Sequence, residues 1–574
     1  MLTTEADSRR GPGEGGPSPG TRLFDLFAAN AARVPERLAV VDPPNRAALD
    51  GREPRRLDYR ALSALVDATV LALTEAGLRR DDVLVTQLPN VVEYVATYLA
   101  AARLGIVLSP VPMQYRRAEL EPIVALTRAR ALLTTARFKD TGPAQLAAAL
   151  EPPLPVLVLD DDAPPGARSL GLARHAGESA RERAAALEAA AAVTSGHVLT
   201  VCWTSGTEGQ PKGVPRTHDH WLAISWAHFD GAQLREGDRL LSPFPLVNMA
   251  AIGGSFMSWL HAAGTLLLHH PFELPVYLQQ IATERPDYAI APPAILMLLL
   301  QNEALLSGVD LSCLRCIGSG SAPLPPAMIR GYRERYGIEI VNLFGSNEGV
   351  SLCSGPAEAP DPERRARYFP RFGRPEIHWP QRVARLIETR LTDPDTGAEI
   401  TDAGVPGELQ IRGPTVFDGY LGAPEVNARA FTTDGWFRTG DLFEIAEPGD
   451  PRFYRFVGRL KQLIVRGGMK ISPDELDAVL AEHPAIAEAA AVGVPDDVLG
   501  ERICAVVVLR PGRQLELEEL QQHFGARGLA KFKWPERLRL VAQLPRNPVG
   551  KVIRSEVAQL GAVPGVPRPD AGGP

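Results

Sequence analysis

Several things are scarce in this sequence, and each absence narrows what the protein can be. No apolar run reaches the roughly 18 residues of a membrane-spanning helix, and residues 1–20 are polar and Gly/Pro-rich, without the apolar core of a secretion signal. The expectation is a cytoplasmic protein that uses no membrane. Cysteine is rare, with five in 574 residues, an odd number spread over a long chain, which argues against a disulfide scaffold. Cys313 and Cys316 have the spacing of half a zinc site, but no second pair completes it, and they read as core residues. There is no excess of basic charge: 61 Lys and Arg against 68 Asp and Glu leave a net charge of -7. Nothing therefore draws the chain toward nucleic acid or an anionic surface, and a small soluble partner is expected. No short-period repeat suggests a solenoid.

What is present is a large globular composition, 45% apolar and 22% charged, long enough for more than one domain. Residues 1–20 and 563–574 are tails that bury too little apolar surface to order themselves. Between them, apolar-periodic helices such as Leu62–Ala76 and Val91–Leu104 alternate with short strands such as Leu38–Val41, Val83–Thr86 and Ile106–Leu108. That alternation predicts βαβ units and a parallel sheet. Residues 146–193, rich in Ala, Arg and Glu, read as a solvated connector with one or two exposed helices. The alternation resumes through Thr265–His269, Ala289–Ala291, Leu314–Ile317 and Ile338–Leu343, with a helix over Pro293–Asn302. The fold class expected is α/β: a large domain over 21–457 made of two related α/β halves plus a small β-region near Gly404–Gly413. A change of texture at Gly458 predicts a small mobile α+β domain over 458–562, with helices Asp474–Glu482 and Leu517–Arg527 and strands Ala489–Val494 and Ile503–Leu509.

The densest chemistry lies in Thr204-Ser205-Gly206-Thr207-Glu208-Gly209-Gln210-Pro211-Lys212-Gly213, delivered by a buried strand over His197–Trp203. Three glycines let the backbone approach an anion, two threonines and a serine offer hydroxyls, and Lys212 supplies a mobile charge. This is the chemistry of a polyphosphate cradle. It lacks the Walker arrangement, because Pro211 precedes the lysine and Gly213 follows it, so no helix starts across Lys212 and a P-loop kinase is disfavoured. The whole string resembles the nucleotide loop of the adenylate-forming superfamily: acyl-CoA synthetases, aryl-acid ligases, peptide-synthetase adenylation domains and luciferases. The resemblance implies that Thr204 takes part in catalysis and that Ser205, Gly206, Thr207, Gly209 and Lys212 hold ATP phosphates. Glu208 replaces a hydroxyl residue, and a carboxylate there would repel triphosphate, so it is given no phosphate role.

Three further stretches and a terminal loop match the same superfamily in the same order. In Asn342–Gly349 the resemblance implies that Phe344 and Gly345 lie at the adenine and that Glu348 holds Mg²⁺, a hard cation suited to carboxylate and phosphate oxygens. Asn347 stands where threonine is commoner, and its amide could still donate to a phosphate. In Trp436–Asp441 the resemblance gives Asp441 the ribose hydroxyls, a diol that suits two carboxylate oxygens. In Gly458–Lys470 it gives Arg459 a ribose contact, Lys461 the hinge of the small domain, and Gly467 and Gly468 the pantetheine arm of CoA. Gln462 replaces the commoner aspartate. In Pro545–Val552 it makes Lys551 the adenylation lysine, a cation between two anions that must meet when a carboxylate attacks the α-phosphate. Rotation of the small domain between half-reactions is part of what the resemblance implies.

The acid pocket is expected around Asn248, Met249, Gly318, Gly320 and Ser321, small or apolar residues that favour a hydrophobic acid. Pro215–His220 is similar to a string in ligases of 2-hydroxyaryl acids, but Met249 gives no amide where a 2-hydroxyl would be met. A bulky or ring-bearing acid is therefore favoured over a hydroxylated benzoate. His218, Asp219 and His220 could be metal ligands, yet nothing completes a shell. The resemblance implies ATP, Mg²⁺ and CoA as cofactors, with a carrier-protein phosphopantetheine as alternative acceptor. A nucleotide-binding sensor without catalysis and an ATP-dependent kinase are the readings from other classes.

Overall fold

The strands of the large domain are runs of three to seven residues, most of them rich in Val, Leu and Ile, too short for helices and buried on both faces, as parallel strands must be. In chain order they are β1 (Leu38–Val41), β2 (Arg56–Asp58), β3 (Val83–Thr86), β4 (Val107–Pro110), β5 (Ala131–Thr134), β6 (Val156–Val158), β7 (Ala167–Ser169), β8 (Val198–Thr204), β9 (Lys212–Thr217), β10 (Arg239–Ser242), β11 (Thr265–Leu268), β12 (Tyr288–Ile290), β13 (Cys316–Gly320), β14 (Glu339–Gly345) and β15 (Ser351–Ser354). The computed structural model describes residues 20–177, 179–204, 211–320, 323–466, 469–496, 498–527, 529, 531–547 and 550–562. Among these, β1–β15 form two sheets, ordered β7-β6-β5-β3-β4-β8-β9 and β15-β14-β13-β12-β10-β11-β1-β2. Neighbours run parallel except at β1–β2, β8–β9 and β14–β15. These sheets are the two α/β halves of the large domain.

The stretch 146–193 departs from the expected connector. Its Val156–Val158 run is buried and pairs parallel with β5, and β7 pairs with β6, so the segment extends a sheet before the exposed helix Ala180–Ala191. The signal was the apolar run itself, masked by the prolines before it. β13 also sits later than the expected Leu314–Ile317, because Gly318 to Gly320 continue the ladder opposite Val341 to Leu343.

The chain divides into two compact units, one taking the described residues up to Thr389 with Gln410–Arg438, the other Arg390–Leu409 and the described residues from Thr439 onward. In the second unit, strands Ile486–Asp496 and Gly500–Leu509 pair antiparallel, and helices Pro473–Ala481 and Leu517–Ala526 bury Leu476, Leu480, Leu520 and Phe524 against Ile503, Ala505 and Val507. All five cysteines are free. No helix among the described residues is long and apolar enough to cross a membrane.

Candidate active site

The register of β8 against β9 puts Thr204 opposite Lys212, so both ends of the expected phosphate loop are fixed one strand spacing apart. Lys212 opens a strand, not a helix. Ser205, Gly206, Thr207, Glu208 and Gly209 lie outside the described residues, as do Ser321, Gly467 and Gly468. The Lys212 ammonium sits 5.1 Å from the centre of the Tyr420 ring, a cation–π distance. The Tyr420 hydroxyl in turn donates to Glu348 Oε1 at 3.1 Å. Burial and then the Glu348 charge push the Tyr420 phenol well above its ordinary value, so it stays a donor. The other Glu348 oxygen has no protein partner among the described residues.

Between the end of β14 and β15, residues 346–350 turn back on themselves and are clamped from behind. Arg216, fully buried, donates to the carbonyls of Thr415 at 2.8 Å, Asn347 at 3.2 Å and His220 at 3.1 Å, and lies 4.9 Å from the Trp221 ring centre. Gly349 has φ +122°, and a Cβ there would stand 2.1 Å from the Thr415 carbonyl, so only glycine fits. The Phe417 amide donates to the Glu348 carbonyl at 2.9 Å. Asn347 ties three segments together: its Oδ1 accepts from the Met249 amide at 2.9 Å and its Nδ2 donates to the Trp203 carbonyl at 3.2 Å. That amide group thus ties the end of β8 to the turn that opens at Met249.

Phe344 is half-buried, its ring 5.6 Å from that of Phe369, and Gly345 is exposed at the rim. Asn248 caps the turn Met249–Ala251, accepting from the Ala251 amide at 3.4 Å. Met249 is buried, with Cγ 3.8 Å from where a Cβ on Gly345 would stand. A Cβ on Gly320 would stand 2.2 Å from the Leu343 carbonyl, so this wall is built by backbone approach. Met249 thus stands against Gly345, while Gly318 and Gly320 both lie against Leu343. His218, Asp219 and His220 are not among these contacts. His218 Nδ1 accepts from the Leu23 amide at 3.2 Å, Asp219 accepts from Ser195 Oγ at 3.0 Å, and His220 Nδ1 accepts from the Thr217 amide at 3.1 Å. The last is a helix-start contact of the helix His218–Gly231, the first two tie its opening turn to residues 23 and 195, and no metal-holding group of three His, Cys, Asp or Glu occurs among the described residues.

In the second unit, Asp441 and Arg459 are register partners on the antiparallel strands Phe437–Glu447 and Asp450–Arg459, joined Nε to Oδ1 at 3.0 Å. Thr439 Oγ1 accepts from the Asp441 amide at 3.0 Å and donates to the Leu409 carbonyl at 2.7 Å, which fixes the turn before the carboxylate. Lys551 belongs to the same electrostatic group. The residue is exposed overall, yet its ammonium is held below the ordinary lysine value, first by loss of hydration and then by the like charge of Arg459, with Asp441 opposing. Asn547 holds its backbone at both ends, Oδ1 accepting from the Lys551 amide at 2.8 Å and the Asn547 amide donating to the Lys551 carbonyl at 2.8 Å. Lys461 lies in the one-turn segment Leu460–Gln462 that follows Arg459.

Tyr420 and Arg216 escaped the reading of the sequence. Arg216 was visible in the string Pro215–His220, but its carbonyl partners near residues 347 and 415 are tertiary. Tyr420 follows Asp418 and Gly419 in a turn with no periodicity to mark it.

The fold and this site define a class: an α/β protein of two sheets, with the β8–β9 hairpin that carries Thr204 and Lys212 at the edge of one and the Glu348 turn between β14 and β15 at the edge of the other. The chain belongs to the AMP-binding enzyme family, whose model matches residues 27–421, and the AMP-binding enzyme C-terminal domain model matches residues 475–551. It is an AMP-forming ligase of the acyl-CoA synthetase type. The chain is 33% identical over 544 residues to the 2-hydroxy-7-methoxy-5-methyl-1-naphthoate–CoA ligase of Streptomyces carzinostaticus, covering 93% of this chain and 92% of that one. It is 32% identical over 536 residues to the medium-chain fatty-acid–CoA ligase of Escherichia coli (strain K12), covering 92% and 88%. Among solved structures it is similar to ATP-bound MatB from Rhodopseudomonas palustris, at TM-score 0.74 and 26% identity, covering 94% and 98%.

Proposed function

We propose that the protein activates a hydrophobic, ring-bearing carboxylic acid as its acyl-adenylate and transfers the acyl group to CoA. The observation that carries the substrate reading is the set Met249, Gly318, Gly320 and Gly345, apolar or free of side chain, in which the buried Met249 side chain itself offers no amide donor to select a 2-hydroxybenzoate. The naphthoate–CoA ligase relative supports a ring-bearing acid.

In the first step an acid oxygen attacks the α-phosphorus, a new P–O bond forms, the bond to the β-phosphate bridging oxygen breaks, and pyrophosphate leaves. Lys212 and the backbone of the phosphate loop hold the triphosphate, Phe344 and Gly345 border the base, Asp441 and Arg459 take the ribose, and Lys551 offsets the repulsion of the two anions. The free oxygen of Glu348 and phosphate oxygens are the donors a Mg²⁺ prefers, and the ion would supply neutralisation of the phosphate charge. In the second step the CoA sulfur attacks the acyl carbon, AMP leaves, and the thiol proton passes to solvent. Lys461 as hinge and Gly467-Gly468 as the pantetheine contact complete the proposal.

The test is acid-dependent pyrophosphate release over aromatic, alicyclic, polycyclic and fatty acids, with and without CoA. Ring acids giving AMP and a CoA thioester are expected. Faster turnover of straight-chain acids would overturn the substrate reading, and adenylate without thioester would move the acceptor to a carrier protein. Unchanged use of 2′-deoxy-ATP would remove the ribose role of Asp441.

A further inference from the structure

Residues 415–421 are stitched to both edge hairpins. On the side of the carboxylate turn, the Thr415 carbonyl accepts from Arg216 at 2.8 Å and the Phe417 amide donates to the Glu348 carbonyl at 2.9 Å. On the other side the Leu421 amide donates to the Gly213 carbonyl at 2.9 Å, one residue beyond Lys212. Tyr420 stands between these attachments and is itself fixed. Its amide donates to Asn427 Oδ1 at 2.7 Å, its carbonyl accepts from Asn427 Nδ2 at 2.9 Å, and its ring meets that of buried Phe417 nearly edge-on, with centres 4.8 Å apart.

Lys212 and Glu348 carry opposite charges, are both half-buried, and are both reached by this one side chain. The Tyr420 ring takes the ammonium and its hydroxyl donates to one carboxylate oxygen, and among the described residues no ion pair joins Lys212 to Glu348. Charge alone would favour such a pair, because opposite charges near a protein surface attract roughly fourfold more strongly than in bulk water, and a lysine reaches its partner on a flexible stem. A pair once formed would have to break before the cation met phosphate. A ring face gives the ammonium a partner without a lone-pair acceptor, which keeps its N–H donors for phosphate oxygens. The hydroxyl occupies Glu348 Oε1 and leaves the other oxygen for a ligand.

We propose that Tyr420 is a positioning residue that keeps Lys212 and Glu348 from pairing with each other, so that the free enzyme presents a cation to the triphosphate and a carboxylate oxygen to its metal at the same time. The inference rests on the phosphate and metal roles given above to those two residues and adds the group that separates them.

The experiment measures ATP binding to the free enzyme by titration calorimetry, without acid or CoA, in excess Mg²⁺ and in EDTA. Tyr420→Phe keeps the ring and loses the donor. Its Kd in EDTA should stay within about twofold of wild type while its Kd in Mg²⁺ rises about tenfold, the scale of one hydrogen bond to a charged group. Tyr420→Leu loses both contacts, and its Kd should rise in EDTA as well. The separation itself is read by placing Glu348→Gln on each background. In Tyr420→Leu that change frees Lys212, and it should improve the Kd in EDTA about fivefold more than it does in the wild type, a coupling that only interacting groups show. Equal gains on both backgrounds, or a Tyr420→Phe protein whose Kd is unchanged or shifts equally under both conditions, would overturn the inference. Lys212→Met with an unchanged Kd in EDTA, or Glu348→Gln with an unchanged gain from Mg²⁺, would instead overturn the roles on which it rests.

Discussion

The carboxylate turn after β14 and the loop of Lys551 solve opposite problems. The turn is held from three directions, by Arg216 on two of its neighbours' carbonyls and its own, by Asn347 on Met249 and Trp203, and by Tyr420 on Glu348. The Lys551 loop is closed by short-range bonds, with Asn547 on Lys551 and Arg546 on the Gly550 carbonyl at 2.6 Å. A group that binds one ligand in one geometry gains from being locked before the ligand arrives. A cation needed at one moment of a cycle gains from a compact loop whose side chain supports little else. The difference teaches that stability and catalysis should separate by residue.

The sharpest way to break the comparison is Lys551→Ala. Adenylate formation should fall by about 10² to 10³, the usual scale for removing a preorganised charge from a transition state, while the melting temperature stays unchanged. A destabilised variant would show that the loop is structural after all. Next is Arg216→Met, which orphans the carbonyls of Thr415 and Asn347 and removes a second donor from that of His220; at about 1 kcal/mol or more for each orphaned group, thermal unfolding should show a loss of about 2 kcal/mol or more. A melting curve like the wild type's would remove the clamp.

Asn347→Ala should be intermediate in both respects. It costs about 1–3 kcal/mol for two lost backbone contacts, and it raises KM for the acid and for ATP together, because one side chain holds both walls. A change in only one KM would dissolve the tie.

The last test, read in pH dependence, is Glu358→Gln. Burial pushes the Glu358 carboxyl up to about 7, with the Gly355 amide opposing. Its folded value thus lies above the unfolded one, so the stability it gives is present at acid pH and lost as pH rises through about 7. Relative to wild type, the variant should gain melting temperature between pH 5 and pH 8, and an equal pH slope would contradict the assignment.

The sequence showed elements whose pattern is local and hid those whose cause is tertiary. β8 was legible within a residue, because Val198–Trp203 is an apolar run ending in a hydroxyl and glycine loop. β13 was not, since Gly318, Ser319 and Gly320 carry no apolar signal and join the ladder through backbone bonds to β14. Asp441, Arg459 and Lys551 were each named from their motifs, and the shared electrostatic group they form needed the fold. Asn347 was read as a departure from threonine whose amide could donate to a phosphate; that the same amide also reaches two backbone groups 98 and 144 residues away needed the fold.

The most direct measurement of the division of labour supplies Lys551→Ala with the preformed acyl-adenylate of the best acid and CoA. Thioester formation within about threefold of wild type, beside adenylation reduced a hundredfold or more, is the predicted result, the charge being needed only while two anions meet. Equal loss of both half-reactions would contradict it.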